Sequence, residues 1–167
     1  MGKTVTYLEM TGRGELTPGQ VVPALVLRRE EGLSELVRSV QARVGAAYGW
    51  RSSARTDREW EEVARAHPQR RYWLVVLAGE VAGIAALEPQ PGGEVELRTF
   101  GLLPEYVGRG LGGHALTLAL QQAWETEPLE AESVRRVWLQ TNSNDHPSAL
   151  VNYRRRGLRV YRTEVEP

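Results

Sequence analysis

The sequence predicts a single α/β (α+β) domain: a mainly antiparallel central sheet of six to seven strands flanked by about four helices. Three observations predict it. Short β-type apolar runs alternate with amphipathic stretches along the whole chain. Two of those runs, Arg71 to Ala78 and Val81 to Leu87, are separated only by Gly79-Glu80, a two-residue hairpin signal. A glycine-rich stretch, Val107 to Gly113, joins an apolar run to an amphipathic helix. At 167 residues the whole chain, 1–167, fits one domain, and a chain of this size buries about 68–70% of its unfolded surface, enough for a core.

Thr4 to Met10 alternates β-formers with polar residues and reads as a strand ending at the turn-prone Thr11-Gly12-Arg13-Gly14, and Ala24 to Arg29 is a second short strand. Leu33, Leu36, Val37, Val40 and Val44 recur at helical spacing, with Gly49 where the helix stops. Thr56 with Glu59 three residues on is a capping-box signature for a second helix, buried through Trp60, Val63 and Ala64 and ended by Pro68. Beyond the hairpin, Pro89 to Gly93 turns the chain into a third antiparallel strand, Glu94 to Leu103. The glycine loop opens a helix carrying Leu111, Ala115, Leu118, Ala119 and Gln122 to about Glu125. Arg136 to Thr141 is a strand, Pro147 fits the first turn of a last helix through Leu150 and Tyr153, Gly157 suits its C-cap, and Leu158 to Thr163 is a closing strand.

Charge and composition narrow the function classes. Lys plus Arg equals Asp plus Glu, 21 each, so no whole-molecule field favours nucleic acid or an anionic membrane, and neither is expected as a partner. The absence of cysteine excludes a disulfide framework, a thiolate metal site and a cysteine-borne covalent intermediate; no metal is expected. No early apolar run has the length and flanks of a signal peptide, and none reaches the ~20 residues that span a bilayer. The expectation is a cytoplasmic protein.

Val107-Gly108-Arg109-Gly110-Leu111-Gly112-Gly113 is built to hold phosphate. Glycines let the backbone turn tightly and bring N–H groups close to an anion, and the helix N-terminus adds a favourable partial charge. Gly108, Gly110 and Gly113 satisfy the spacing of the dinucleotide fingerprint, but that motif belongs early in a parallel βαβ sheet with an acidic residue ~20 positions on. Here antiparallel-type strands precede the loop and the next strand ends in Gln140-Thr141-Asn142. A nucleoside-triphosphate loop would need Lys then Ser or Thr, where this chain has Gly113-His114. Packing alone remains a further reading of such a turn.

The order of elements, together with Leu102-Leu103-Pro104-Glu105-Tyr106, the Val107 to Gly113 loop, and Asp145-His146-Pro147-Ser148-Ala149 with Tyr153 and Gly157, resembles the GNAT superfamily of N-acetyltransferases over nearly the whole chain. Phe100 through His114 and Asp145 to Tyr153 resemble a bacterial subgroup of it. The resemblance implies a mixed, mainly antiparallel sheet and acetyl-CoA as cosubstrate. It implies that backbone groups of Val107, Gly108, Arg109, Gly110, Leu111, Gly112 and Gly113 bind the pyrophosphate, and that Leu102 and Leu103 offer theirs to the pantetheine arm. It also implies direct attack of an amine in a ternary complex, with Tyr153 as the acid for the leaving thiolate.

Several expectations follow from the residues beside that resemblance. Gly101 is a candidate bulge freeing an N–H near Leu102 for the thioester oxygen. An alkyl amine has a pKa near ~10.4, so a base or a desolvating pocket is needed. Glu96, on the strand leading to the thioester site, is the candidate base; equally, Glu94, Glu96 and Arg98 read as a solvated strand face. Asp145 and His146 compete for that role but also suit a helix N-terminus, and Tyr153 with Leu150 also reads as core. Val107 stands where the superfamily usually has Gln or Arg, leaving Arg109 to compensate, and His146 stands where Asn is common at a pantetheine contact. Thr4 to Met10 is an additional strand with the vacant edge of the sheet to occupy. Tyr48, Trp50, Trp60, Tyr72 and Trp73 are candidates for an acceptor pocket or for core, and Arg154-Arg155-Arg156 for a solvated face or a CoA phosphate contact. The acceptor is a small-molecule or peptide amine, and a homodimer is left open. A catalytically degenerate acyl-CoA-binding regulatory module is the alternative; a nucleotide-dependent oxidoreductase is disfavoured by the strand order.

Overall fold

The protein, described over residues 2–167 by a computed structural model, is organised around one sheet. Its strands are β1 (Lys3–Met10), β2 (Leu25–Glu30), β3 (Arg71–Leu77), β4 (Glu80–Gln90), β5 (Glu94–Leu102), β6 (Arg136–Asn142) and β7 (Arg159–Glu166). Four helices flank them: α1 (Glu35–Gly45), α2 (Asp57–Ala66), α3 (Gly112–Trp124) and α4 (Ala149–Arg155). The spatial order is β2-β3-β4-β5-β6-β1-β7. Every neighbouring pair is antiparallel except β5 and β6, which run parallel. The predicted mixed, mainly antiparallel architecture is therefore the observed one.

Local chemistry explains most boundaries. Ser34 caps α1 by accepting from the Val37 N–H at 3.0 Å. Thr56 and Glu59 form the full capping box of α2. The sheet is packed on both faces. One core lies chiefly under α1 and α2, where Val37, Val40, Val44 and Trp60 meet Leu74, Ile84 and Ala86. The other lies under α3 and α4, where Leu116, Leu120 and Tyr153 meet Leu87, Val95, Val137 and Leu139.

Several expectations are corrected. The hairpin turn is Ala78-Gly79, both at positive φ, one residue earlier than Gly79-Glu80. β4 runs on to Gln90 instead of ending at Leu87, because Pro89 sits inside the ladder opposite Val95 and the turn begins only at Pro91. Leu33 precedes α1 and Leu36 points outward, so the buried stripe is Val37, Val40, Gln41 and Val44. Pro147 stands in the turn before α4, whose N-cap is Ser148. The additional strand β1 is not at a vacant edge. It is inserted between β6 and β7, pairing Val5 with Asn142 on one side and with Glu164 on the other.

Candidate functional site

The parallel ladder between β5 and β6 holds only at Glu94–Arg136, Val95–Val137 and Glu96–Trp138. Beyond that point β5 continues to Leu102 against β4 alone, and β6 continues to Asn142 against β1. One edge of each strand is thereby left without a ladder. The Leu103 N–H donates to the Ala82 carbonyl at 2.8 Å, which makes Leu103–Ala82 a hydrogen-bonded pair. By alternation, Leu102 and Phe100 turn their N–H and C=O groups away from β4 toward the free edge. An extended molecule has main-chain partners there. Leu103 is engaged within the chain: its N–H donates to Ala82 and its carbonyl accepts from the Tyr106 N–H at 2.9 Å. Nor is Gly101 a bulge. The register shift falls between Leu87–Leu97 and Ala86–Thr99, making Arg98 the extra residue, while Gly101 pairs regularly with Ile84. Gly101 is small because Val44 of α1 packs directly on it.

Next to this edge, a short 3-10 turn (Pro104–Tyr106) leads into the glycine loop and α3. Gly108 and Gly110 adopt φ +78° and +77°, with open space where side chains would stand. The N-cap, Leu111, offers no side-chain acceptor, and the first turn of α3 carries no acidic residue. The leading N–H groups of Gly112, Gly113 and His114 thus lack the internal partners that capping normally provides. Asn152 ties α4 to this point, donating from Nδ2 to the Gly112 carbonyl at 3.0 Å. Arg156 of the expected basic trio lies against Gly113, with a shielded Nε that has no partner among the described residues, whereas Arg154 and Arg155 are exposed. A cation beside the positive end of a helix is unfavourable alone and suits an anion held between them. Arg109 stacks 5.0 Å over Tyr106.

At the closed end of the opening sits Glu96, only 4% exposed. Its neighbours Val95 and Leu97 belong to the α3/α4 core, so alternation turns its carboxylate to the α1/α2 side. The solvated-face reading is thereby excluded for Glu96. Its Oε1 accepts from Gln90 Nε2 at 3.3 Å and its Oε2 from Arg98 Nη1 at 3.4 Å. Gln90 is oriented by Trp138, whose indole N–H donates to the amide oxygen at 2.9 Å. Cross-strand from Glu96 lies Glu88, gripped by Arg70 at 2.8 Å and His67 at 3.3 Å. Burial pushes the Glu96 carboxyl above the usual carboxylate range; Arg98 opposes the rise and Glu88 adds to it.

On the β6 side, Asp145 accepts from Thr141 Oγ1, from the Asn142 N–H at 3.0 Å and from Trp50 Nε1 at 3.2 Å. It braces the end of β6 and does not cap α4. His146 accepts from the Ser148 N–H at 3.0 Å and meets Tyr48 edge-on, so its Nδ1 is committed to the turn. Tyr153 is buried on α4, and burial, reinforced by Asp145, raises its phenol well above the ordinary range. The aromatic cluster divides. Trp60 and Tyr72 are core, Trp73 packs against the α3/α4 core, and Trp50 lies over Gly101 while bonding Asp145, spanning from β5 to the end of β6. Glu88, Gln90, Arg70 and Trp138 are site residues that sequence reasoning missed. The available signal was the continuation of polar alternation past Leu87, hidden by treating Pro89 as a turn.

This architecture is shared. Over 98% of its length the chain superposes on a GCN5-related N-acetyltransferase from Sphaerobacter thermophilus, with TM-score 0.65, 15% identity and 50% of that chain covered. The counterpart from Kribbella flavida gives TM-score 0.65, 20% identity, 98% of this chain and 58% of the other. A tandem GNAT protein from the clavulanic acid biosynthesis pathway gives TM-score 0.64, 21% identity, 98% and 51%. The chain thus spans between half and three fifths of the length of these proteins, and at such identities the likeness is one of fold. No curated protein matches the sequence. The sequence model of the acetyltransferase (GNAT) family matches residues 37–158, from within α1 to the end of α4 and including β3 to β6, and the chain belongs to that family.

Proposed function

We propose that the protein transfers an acetyl group from acetyl-CoA to an amine by direct attack. The observation that carries this reading is the early end of the β5–β6 ladder, which leaves a strand edge beside an uncapped helix start. The loop amides from Val107 to Gly113, with Arg156 beside them, are suited to the pyrophosphate. The free edge at Phe100 and Leu102 is suited to the amide-bearing pantetheine arm, which adds to β5 in the manner of a strand.

The residues then divide the proton work. Glu96 takes a proton from the acceptor ammonium, directly or through a water; its raised pKa makes it a stronger base than an exposed carboxylate. The neutral amine attacks the thioester carbonyl, whose oxygen gathers charge beside the outward-turned Leu102 N–H; donors of this kind contribute about 2.7–4 kcal/mol. As the C–N bond forms and the C–S bond breaks, the thiolate takes the Tyr153 proton, and the second proton shed by the nitrogen restores the phenol, leaving amide, free thiol and one proton on Glu96. A phenol carries its proton at neutral pH, and burial keeps Tyr153 neutral until a thiolate forms beside it.

Calorimetry with acetyl-CoA, NAD and ATP, followed by thiol release across a panel of amines, tests the reading. The expected result is binding of acetyl-CoA alone and amine-dependent thiol release. Binding of NAD or ATP instead would overturn the donor assignment. Binding of acetyl-CoA without release by any amine would favour an acyl-CoA-binding regulatory module.

A further inference from the structure

We infer that the acceptor carries a carboxylate as well as its amine, and that Arg55 receives it. This rests on the proposed transfer reaction and names the class of its second substrate.

The inference comes from a cation without an ion-pair partner. Two arginines hold Glu88 and Glu96 on the α1/α2 side of the sheet, and a third, Arg55, lies within the field of both. Arg70 is bonded to Glu88 at 2.8 Å and Arg98 to Glu96 at 3.4 Å. Arg55, in the segment between α1 and α2, makes no ion pair: Glu59, four residues on, lies within its field but is held by Thr56 in the capping box of α2. Its Cζ lies over the Trp60 ring, 4.5 Å from the centroid, and its Nη1 is shielded from solvent with no hydrogen-bond partner among the described residues. Trp60 in turn packs against Tyr72, on the strand next to the one that carries Glu88. Burial lowers the Arg55 pKa; Tyr72 and Glu59 oppose this, and Arg70 and Arg98 push further down, which places Arg55 within the field of both arginines.

A shielded guanidinium nitrogen without an acceptor is costly unless something supplies one. Neighbouring positive charges raise that cost. Contact with Trp60 holds the guanidinium in place, and its unpartnered N–H donors are of the kind that match a carboxylate. With an amine directed to Glu96 and an anion to Arg55, the acceptor is an amino acid or an analogue with both charges. The two glutamates and three arginines then balance against a zwitterion more closely than against a simple amine.

Paired substrates that differ only in the carboxylate test this: lysine against cadaverine and tyrosine against tyramine, read as kcat/KM by thiol release. The acid-bearing member is expected to win by about tenfold to a hundredfold, the range of a charge-assisted hydrogen bond. Arg55→Met, which keeps an apolar stem on Trp60, should collapse that preference, and Arg55→Lys should retain only part of it. A second readout needs no turnover. Without ligand, Arg55→Met should raise Tm, because an unpaired cation has gone; millimolar glutarate should raise the Tm of the wild type and not of the variant. Equal kcat/KM within each pair, or a lower Tm in ligand-free Arg55→Met, overturns the proposal by making Arg55 a packing element. Loss of acetyl-CoA binding would instead strike the transfer reading itself, so the two failures are distinguishable.

Discussion

The two halves of the site are made of different material. The side assigned to the donor is main chain: the outward-facing groups of Phe100 and Leu102, two glycines at positive φ, and the uncapped first turn of α3. The side assigned to the acceptor is side chain: Glu88, Glu96, Arg70, Arg98 and Arg55, delivered by β4, β5, the α2–β3 turn and the segment before α2. A main-chain site depends on backbone shape and tolerates many side chains, whereas a side-chain site changes with every substitution. One domain can thereby keep a fixed donor and vary its acceptor.

The largest effect should come from breaking the backbone shape. Gly110 stands at φ +77° with nothing near its missing side chain, so Gly110→Val acts through conformation and not through a clash. Calorimetry should show acetyl-CoA binding abolished while the far-ultraviolet spectrum is retained; normal affinity would refute the donor side as drawn.

Glu96→Gln probes the other half. Loss of a general base typically costs about 10²–10⁴-fold in turnover, and acetyl-CoA affinity should hold. The same change should raise Tm at neutral pH. With its folded pKa raised by burial, Glu96 contributes stability below the ordinary carboxylate range and loses that contribution as pH rises through its folded pKa. The gain from Gln should therefore disappear below about pH 4. A gain that grows toward acid would contradict a desolvated carboxyl.

Tyr153→Phe should be the mildest of the three. A thiol has a pKa near ~8.5, so a thiolate is already a fair leaving group and help from an acid falls at the low end of the about 10²–10⁴-fold range of acid–base catalysis. Steady-state kinetics should show lower kcat with donor affinity unchanged. Identical pH profiles for variant and wild type would remove Tyr153 from the proton path.

The same division explains what could be read in the sequence. The α3 loop was legible because glycine positions and a following amphipathic helix are local facts. The capping box at Thr56 followed from spacing, whereas the mixed character of the sheet followed from the family resemblance, which did not say which pair of strands runs parallel. Of the acceptor side only Glu96 was legible, because Glu88 meets it only through β4–β5 register and the lack of an ion pair at Arg55 shows only in the packed structure. A proline inside a ladder, Pro89, concealed two of its residues. Gly101 misled for a related reason: a glycine in a strand signals either a bulge or a close neighbour, and only packing reveals that the neighbour is Val44.

The placement of β1 between β6 and β7 has a cost in time. Val5 pairs with Asn142 and Glu164, so on the ribosome, at about 5–20 residues per second, this strand waits on the order of ten seconds for either neighbour to be made. Both of its edges stay open throughout that wait, while the hairpin of β3 and β4 has already closed. Nascent chains of this protein are therefore most exposed to misassociation through a segment that the finished molecule hides between two others.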